Sequence, residues 1–197
     1  YYRNRIILAE KSKDMGLIKN SAKSLLAIPG LSQKNQDFAN ERFAWASEMT
    51  LDFSGALSAS KQLSVHALPT NKKLLKLGIL SELAGQDPRP YFEAYLSGSA
   101  KDPESQKTVA IKLLHLSKNA QNDFIRYQHF YIGDLEATSR EALFAYAQKP
   151  NKAFLAKVSK LKMKASGAKQ ILEREILLDE FTSILSNQKA AGKNTLQ

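Results

Sequence analysis

Apolar residues recur at intervals of three and four along nearly the whole chain, the spacing that puts a hydrophobic stripe on one side of an α-helix. No segment alternates apolar and polar positions between hairpin turn residues, so the pattern predicts about eleven helices and no sheet. The first pair runs from Tyr2 to Asp14 and from Leu17 to Ile28, broken at Met15-Gly16 and closed by Pro29-Gly30. The second runs from Gln33 to Thr50 and from Asp52 to Leu63, with Ser32 as N-cap and a loop from Val65 to Thr70 around Pro69. Asn71 opens a helix that carries Leu74, Leu75, Leu77, Ile79, Leu80 and Leu83; apolar on most of its circumference, it is expected to be central. Tyr91 to Ser99 is its short partner.

Asp102-Pro103-Glu104 then makes a helix start, because aspartate caps and proline suits the first turn. Helices are predicted from Pro103 to Ser117, Gln121 to Ile132, Leu135 to Gln148, Asn151 to Ala165 and Lys169 to Asn187. The last carries Ile171, Leu172, Ile176, Leu177, Leu178, Phe181, Ile184 and Leu185, a stripe wide enough to cover the end of a stack. Residues 1–188 are read as a single helical domain and 189–197 as a flexible tail with little to bury.

Alanine and other small residues sit inside four of these segments, at Ala22, Ala56, Ala94 and Ala142, and three of the four reach a proline soon after. Small residues let helices approach closely and proline stops them, which together suggest stacked helix-turn-helix units. Ala44 and Ala56 stand 12 apart with Phe53 and Gly55 at the intervening turn, and Ala22 to Ala56 is 34 residues. On these residues the stretch from Gln33 to Pro69 resembles the tetratricopeptide repeat family. The later intervals, 38 and 48 residues, depart from that period. The resemblance implies an all-α fold: a right-handed helical repeat (α-solenoid) of about five helix pairs plus a C-terminal capping helix.

Composition narrows the function. With 43% hydrophobic and 24% charged residues the 197-residue chain is expected to fold, and no uninterrupted apolar run is long enough to cross a membrane. Zero cysteines remove disulfides, thiolate zinc sites and cysteine nucleophiles; their absence is compatible with any compartment and leans toward bacterial periplasm or export over cytoplasm. Because the chain opens on Tyr1, the natural product is expected to be longer or processed. His66, His115 and His129 include no pair at metal-binding helical spacing, and no phosphate loop or dinucleotide fingerprint occurs. Four serine–lysine pairs three apart occur where chance among 19 serines and 22 lysines gives about two, and none comes with the partner motifs of a serine–lysine site. The chain is therefore expected to be no enzyme and to need no cofactor or metal.

Two side-chain sets remain as candidate sites. No carboxylate occurs between Glu141 and Glu173, where Lys152, Lys157, Lys160 and Lys164 stand on or beside one helix in a chain of net charge +10; such a field suits nucleic acid, an anionic membrane or an acidic protein. Phe124, Tyr127 and Tyr131 share a helix face near Arg126, as a peptide-binding ridge or as core. The leading expectation is a noncatalytic scaffold or adaptor that docks another protein or peptide in the groove of the stack. The alternative is electrostatic binding of nucleic acid or anionic membrane through the four lysines.

Overall fold

The computed structural model describes residues 1–99, 102–118, 120–127 and 130, and among them every regular element is an α-helix. The helices are α1 Tyr2–Lys11, α2 Met15–Leu26, α3 Gln33–Met49, α4 Phe53–Gln62, α5 Thr70–Leu83, α6 Arg89–Ser97, α7 Pro103–His115 and α8 Ala120–Tyr127. The chain parts into two compact units, Tyr1–Ala100 with α1 to α6 and Lys101–Gln197 with α7 and α8. The helices expected from Leu135, Asn151 and Lys169 onward, and the tail, lie outside the described residues.

Three turns of one design build the first unit. Lys13, Leu51 and Gly85 each take a left-handed backbone, with φ of 55, 57 and 69°. In each case that residue's N–H bonds the carbonyl three positions back, Glu10, Glu48 or Glu82, and the next N–H bonds the carbonyl five back, at 2.9 Å to Ala9, 2.8 Å to Ser47 and 2.8 Å to Ser81. This is the Schellman closure, which satisfies the last carbonyls of α1, α3 and α5 and reverses the chain. Asp14 and Asp52 follow at once and cap the next helix, accepting from Leu17 N–H at 2.8 Å and Gly55 N–H at 2.9 Å. The expected break at Met15-Gly16 is therefore corrected. Both residues belong to the first turn of α2, and the break is Ser12 to Asp14, where lysine rather than glycine turns left-handed.

Counted from these turns, burial recurs at matching positions. Four residues before the left-handed residue stand Ala9, Ser47 and Ser81, and seven before it Ile6, Ala44 and Gly78, all buried. Four, seven and eight residues after the N-caps Asp14, Asp52 and Pro88 stand Ile18, Ser21 and Ala22; Ala56, Ala59 and Ser60; Phe92, Tyr95 and Leu96, again all buried. The left-handed residues are 38 and then 34 residues apart. Ala22 and Ala56, separated by the expected 34, occupy different positions of their helices.

Each helix of the first unit packs on its neighbours in sequence, α1 on α2 through α5 on α6. Ile6, Ala9, Ile18, Ala22, Leu25, Ala39 and Ala46 form one core across α1, α2 and α3, and Ala56, Leu57, Leu77 and Leu80 another across α4 and α5. Lys73 of α5 ends α4 from outside: its ammonium donates to the carbonyls of Lys61 at 2.8 Å and Leu63 at 2.6 Å, where a cation meets the negative end of the helix. In the second unit Asp102 precedes Pro103 as expected, and α7 packs on α8.

Phe92, a fully buried side chain, lies against the backbone at Gly78, where a Cβ would overlap its ring. Glycine inside a helix is about 1 kcal/mol worse than alanine, yet overpacking a core costs about 1 to 3 kcal/mol. Gly78→Ala is thus expected to lower stability in urea unfolding, with the loss largely removed in a Phe92→Leu background; a stabilised single variant would refute the contact. Leu51 presents the opposite case, an exposed leucine in a backbone that costs a non-glycine residue about 1 to 2 kcal/mol. Leu51→Gly is expected to raise the urea midpoint, and an unchanged or lower midpoint would count against the left-handed turn.

Candidate interaction surface

The same register that buries one side of α1, α3 and α5 exposes another. Six residues before the left-handed position stand Ile7, Trp45 and Ile79, which keep 39%, 36% and 40% of their surface in contact with solvent. Equal exposure of three large apolar side chains at equivalent positions marks a ridge, because singly scattered apolar residues carry no such register. Met49 and Leu83, each two residues before the turn, are exposed as well and extend it on α3 and α5. The expectation that α5 is central is corrected: Leu77 and Leu80 are buried, while Ile79 and Leu83 face solvent.

Ion pairs in register hold the ridge together. Three residues before the turns stand Glu10, Glu48 and Glu82, and nine before them Asn4, Arg42 and Lys76. Glu10 of α1 pairs with Arg42 of α3, and Glu48 of α3 pairs with Lys76 of α5 at 2.6 Å. Each cation lies one helical turn from the exposed apolar residue of its own helix, Arg42 by Trp45 and Lys76 by Ile79. Arg3 of α1 adds a 3.1 Å hydrogen bond to Asn35 and lays its guanidinium 4.6 Å from the centre of the Phe38 ring, which Arg42 also covers at 5.3 Å.

Two open grooves follow these junctions. One, of about 270 Å³, is lined by Glu10, Arg42 and Trp45. The other, of about 340 Å³, is lined by Glu48, Phe53, Lys72, Leu75, Lys76, Ile79, Leu80 and Leu83. The second helices are joined on their own account, through Lys19 to Asp52 at 2.6 Å and through Lys61, whose ammonium lies 5.8 Å from the centre of the Tyr91 ring.

Two carboxylates among the described residues are shifted, and structure explains both. The Lys19 ammonium, then the Gly55 N–H, hold Asp52 below the ordinary carboxylate range against its partial burial. Burial pushes Asp37 up, but the Ser64 hydroxyl and N–H, at 2.7 and 2.8 Å, and the Gln33 amide outweigh it and bring Asp37 below its ordinary value. Asp52 caps α4 and Asp37 ties the segment after α4 to α3, so neither is poised as an acid or base. Among the described residues no three histidines or carboxylates converge as metal ligands, and no helix is long and apolar enough to cross a membrane.

Of the residues singled out from sequence, Tyr127 is 4% exposed on α8, and the Arg126 guanidinium lies 5.2 Å from its ring centre. Phe124 falls on α8, but its side chain, like Tyr131 and Lys152, Lys157, Lys160 and Lys164, lies outside the described residues. The ridge of Ile7, Trp45 and Ile79 was missed by sequence reasoning. Its signal was present, an apolar residue three before a glutamate in Ile7/Glu10, Trp45/Glu48 and Ile79/Glu82, but it becomes visible only when the turns are aligned. No protein-family model, curated protein or solved structure matches the chain.

Both shifted carboxylates have a folded pKa below the unfolded one. Their contribution to stability is therefore complete above the unfolded value, about 3.9, and lost as pH falls through the lower folded values. Urea midpoints are expected to hold from pH 7 to 5 and to fall below pH 4, and Asp52→Asn, which removes one titrating group, is expected to make that fall shallower; an identical acid limb in the variant would contradict the Lys19 contact.

Proposed function

We propose that the chain is a noncatalytic scaffold, a right-handed stack of helix pairs of the tetratricopeptide-like kind, that docks another protein across the face of its first helices α1, α3 and α5. The observation that carries this reading is the register of Ile7, Trp45 and Ile79. Three helices repeat one exposed apolar position, and α3 and α5 each set beside it an ion pair to the first helix of the pair before; a surface repeated along a stack suits a partner long enough to touch several units. Ion pairs at half-exposed sites contribute little stability, about 0 to 1 kcal/mol each, so their repetition is better accounted for by alignment of the first helices than by strength.

The chemistry of the face agrees with docking. Tryptophan is enriched among the residues that dominate interface energy, and Trp45, the single tryptophan of the chain, sits mid-ridge in a groove rimmed by Glu10 and Arg42. Neither groove converges a nucleophile with a base, and the two shifted carboxylates are occupied in caps and turns.

Trp45→Asp/Ile79→Asp changes two partly exposed positions and is expected to leave helix content and melting temperature near those of the parent. In crosslinking capture from cells with the full chain, the partners held by the parent are expected to be lost from the double variant. Capture of the same proteins by both would overturn the reading.

A further inference from the structure

We propose that the groove between α3 and α5 takes an acidic, apolar-faced peptide segment of another protein, with its carboxylate at Lys72 and its apolar side chains at Ile79 and Leu83. The inference rests on the docking reading above and adds the chemistry of the partner. Five apolar residues, Phe53, Leu75, Ile79, Leu80 and Leu83, line the groove with three charged ones. Of those three, Glu48 and Lys76 neutralise each other at 2.6 Å. Lys72 is left exposed, and no carboxylate pairs with it among the described residues.

Position along α5 sets the order of the contacts. Lys72 lies in the first turn of α5, a turn without an acidic residue and at the positive end of the helix dipole, so the field there favours an anion. Ile79 is seven residues on, about 10 Å at 1.5 Å per residue, and Leu83 about 16 Å on. A partner helix laid along α5 matches this order with a glutamate at one end and leucines seven and eleven residues away. At about 340 Å³ the groove is at the small end of the roughly 300 to 1,000 Å³ of ligand sites, room for side chains from one face of a segment. Self-association through the same groove would bring together two copies that each carry a net charge of +10.

The test uses the full chain and two dye-labelled synthetic amphipathic peptides, identical except that one carries glutamate and the other lysine at the end flanking its leucine stripe, read by fluorescence anisotropy. The glutamate peptide is expected to bind at least about tenfold more tightly than the lysine peptide, with the difference shrinking as salt rises. Lys72→Glu is expected to reverse the order of the two peptides, and Leu83→Asp to abolish binding of both, each with a parental melting curve. Equal affinity for the two peptides, or an order unchanged by Lys72→Glu, overturns the proposal. So does binding confined to vesicles of anionic lipid, or a dimer in sedimentation that Leu83→Asp dissolves. If the acidic peptide fails while Trp45→Asp/Ile79→Asp still loses captured proteins, the partner chemistry is wrong and the docking face stands; if neither responds, both readings fall.

Discussion

The left-handed residue at the end of each first helix is the constraint from which the rest of the first unit follows. A helix ends with four carbonyls lacking partners, and at Lys13, Leu51 and Gly85 the backbone turns so that the next two N–H groups satisfy two of them. That closure fixes both the last residue of the first helix and the direction in which the second sets off. Every position is then counted from it: the buried small residues at Ala9, Ser47 and Ser81, the glutamates at Glu10, Glu48 and Glu82, and the exposed Ile7, Trp45 and Ile79. Moving one turn by a single residue would rotate a first helix by about 100° and send its ridge residue into a different environment.

Small side chains are what the closely packed helices require, and their chemistry is secondary. Ser21, Ser60 and Ser81 are buried with no hydrogen-bond partner for their hydroxyls among the described residues, an arrangement that costs free energy. Each sits where a neighbouring helix packs, so size outweighs the unsatisfied hydroxyl. Gly78 carries the same logic furthest, giving up helix propensity so that Phe92 can lie against the backbone of α5. Polar links then run past the nearest neighbour, from α1 to α3, α2 to α4 and α3 to α5. With packing between sequence neighbours and polar contacts to the helix after next, the first unit passes one arrangement from each helix to the following two.

Helix existence was legible because its causes are local. Apolar periodicity, the Pro29-Gly30 and Pro69 stops and the Asp102-Pro103 start placed the helices to within a few residues of α1 to α6 in the first unit and of α7 in the second. Asp52 was legible as a helix start, and its cap to Gly55 N–H explains why glycine follows three positions on. The α1–α2 turn was misplaced because the signal sought there was glycine. Gly16 supplied it, whereas Lys13 makes the turn with an ordinary side chain held left-handed by the two hydrogen bonds around it. The same gap hid the shared register of the turns, since counting between alanines joins Ala22 to Ala56, which hold different ranks in their helices.

By itself, then, the sequence determined the all-helical class and most helix spans of the described residues, since periodicity, caps and breakers act over a turn or two of chain. Which side of each helix is covered was decided by tertiary structure alone. Ile7, Trp45 and Ile79 look like core residues in a one-dimensional pattern, and only the crossing of neighbouring helices, set by the left-handed turns, leaves them at the surface while Ile6, Ala44 and Gly78, one residue earlier, are buried. Burial is a property of what lies opposite a side chain, and the residue's own hydrophobicity does not contain it.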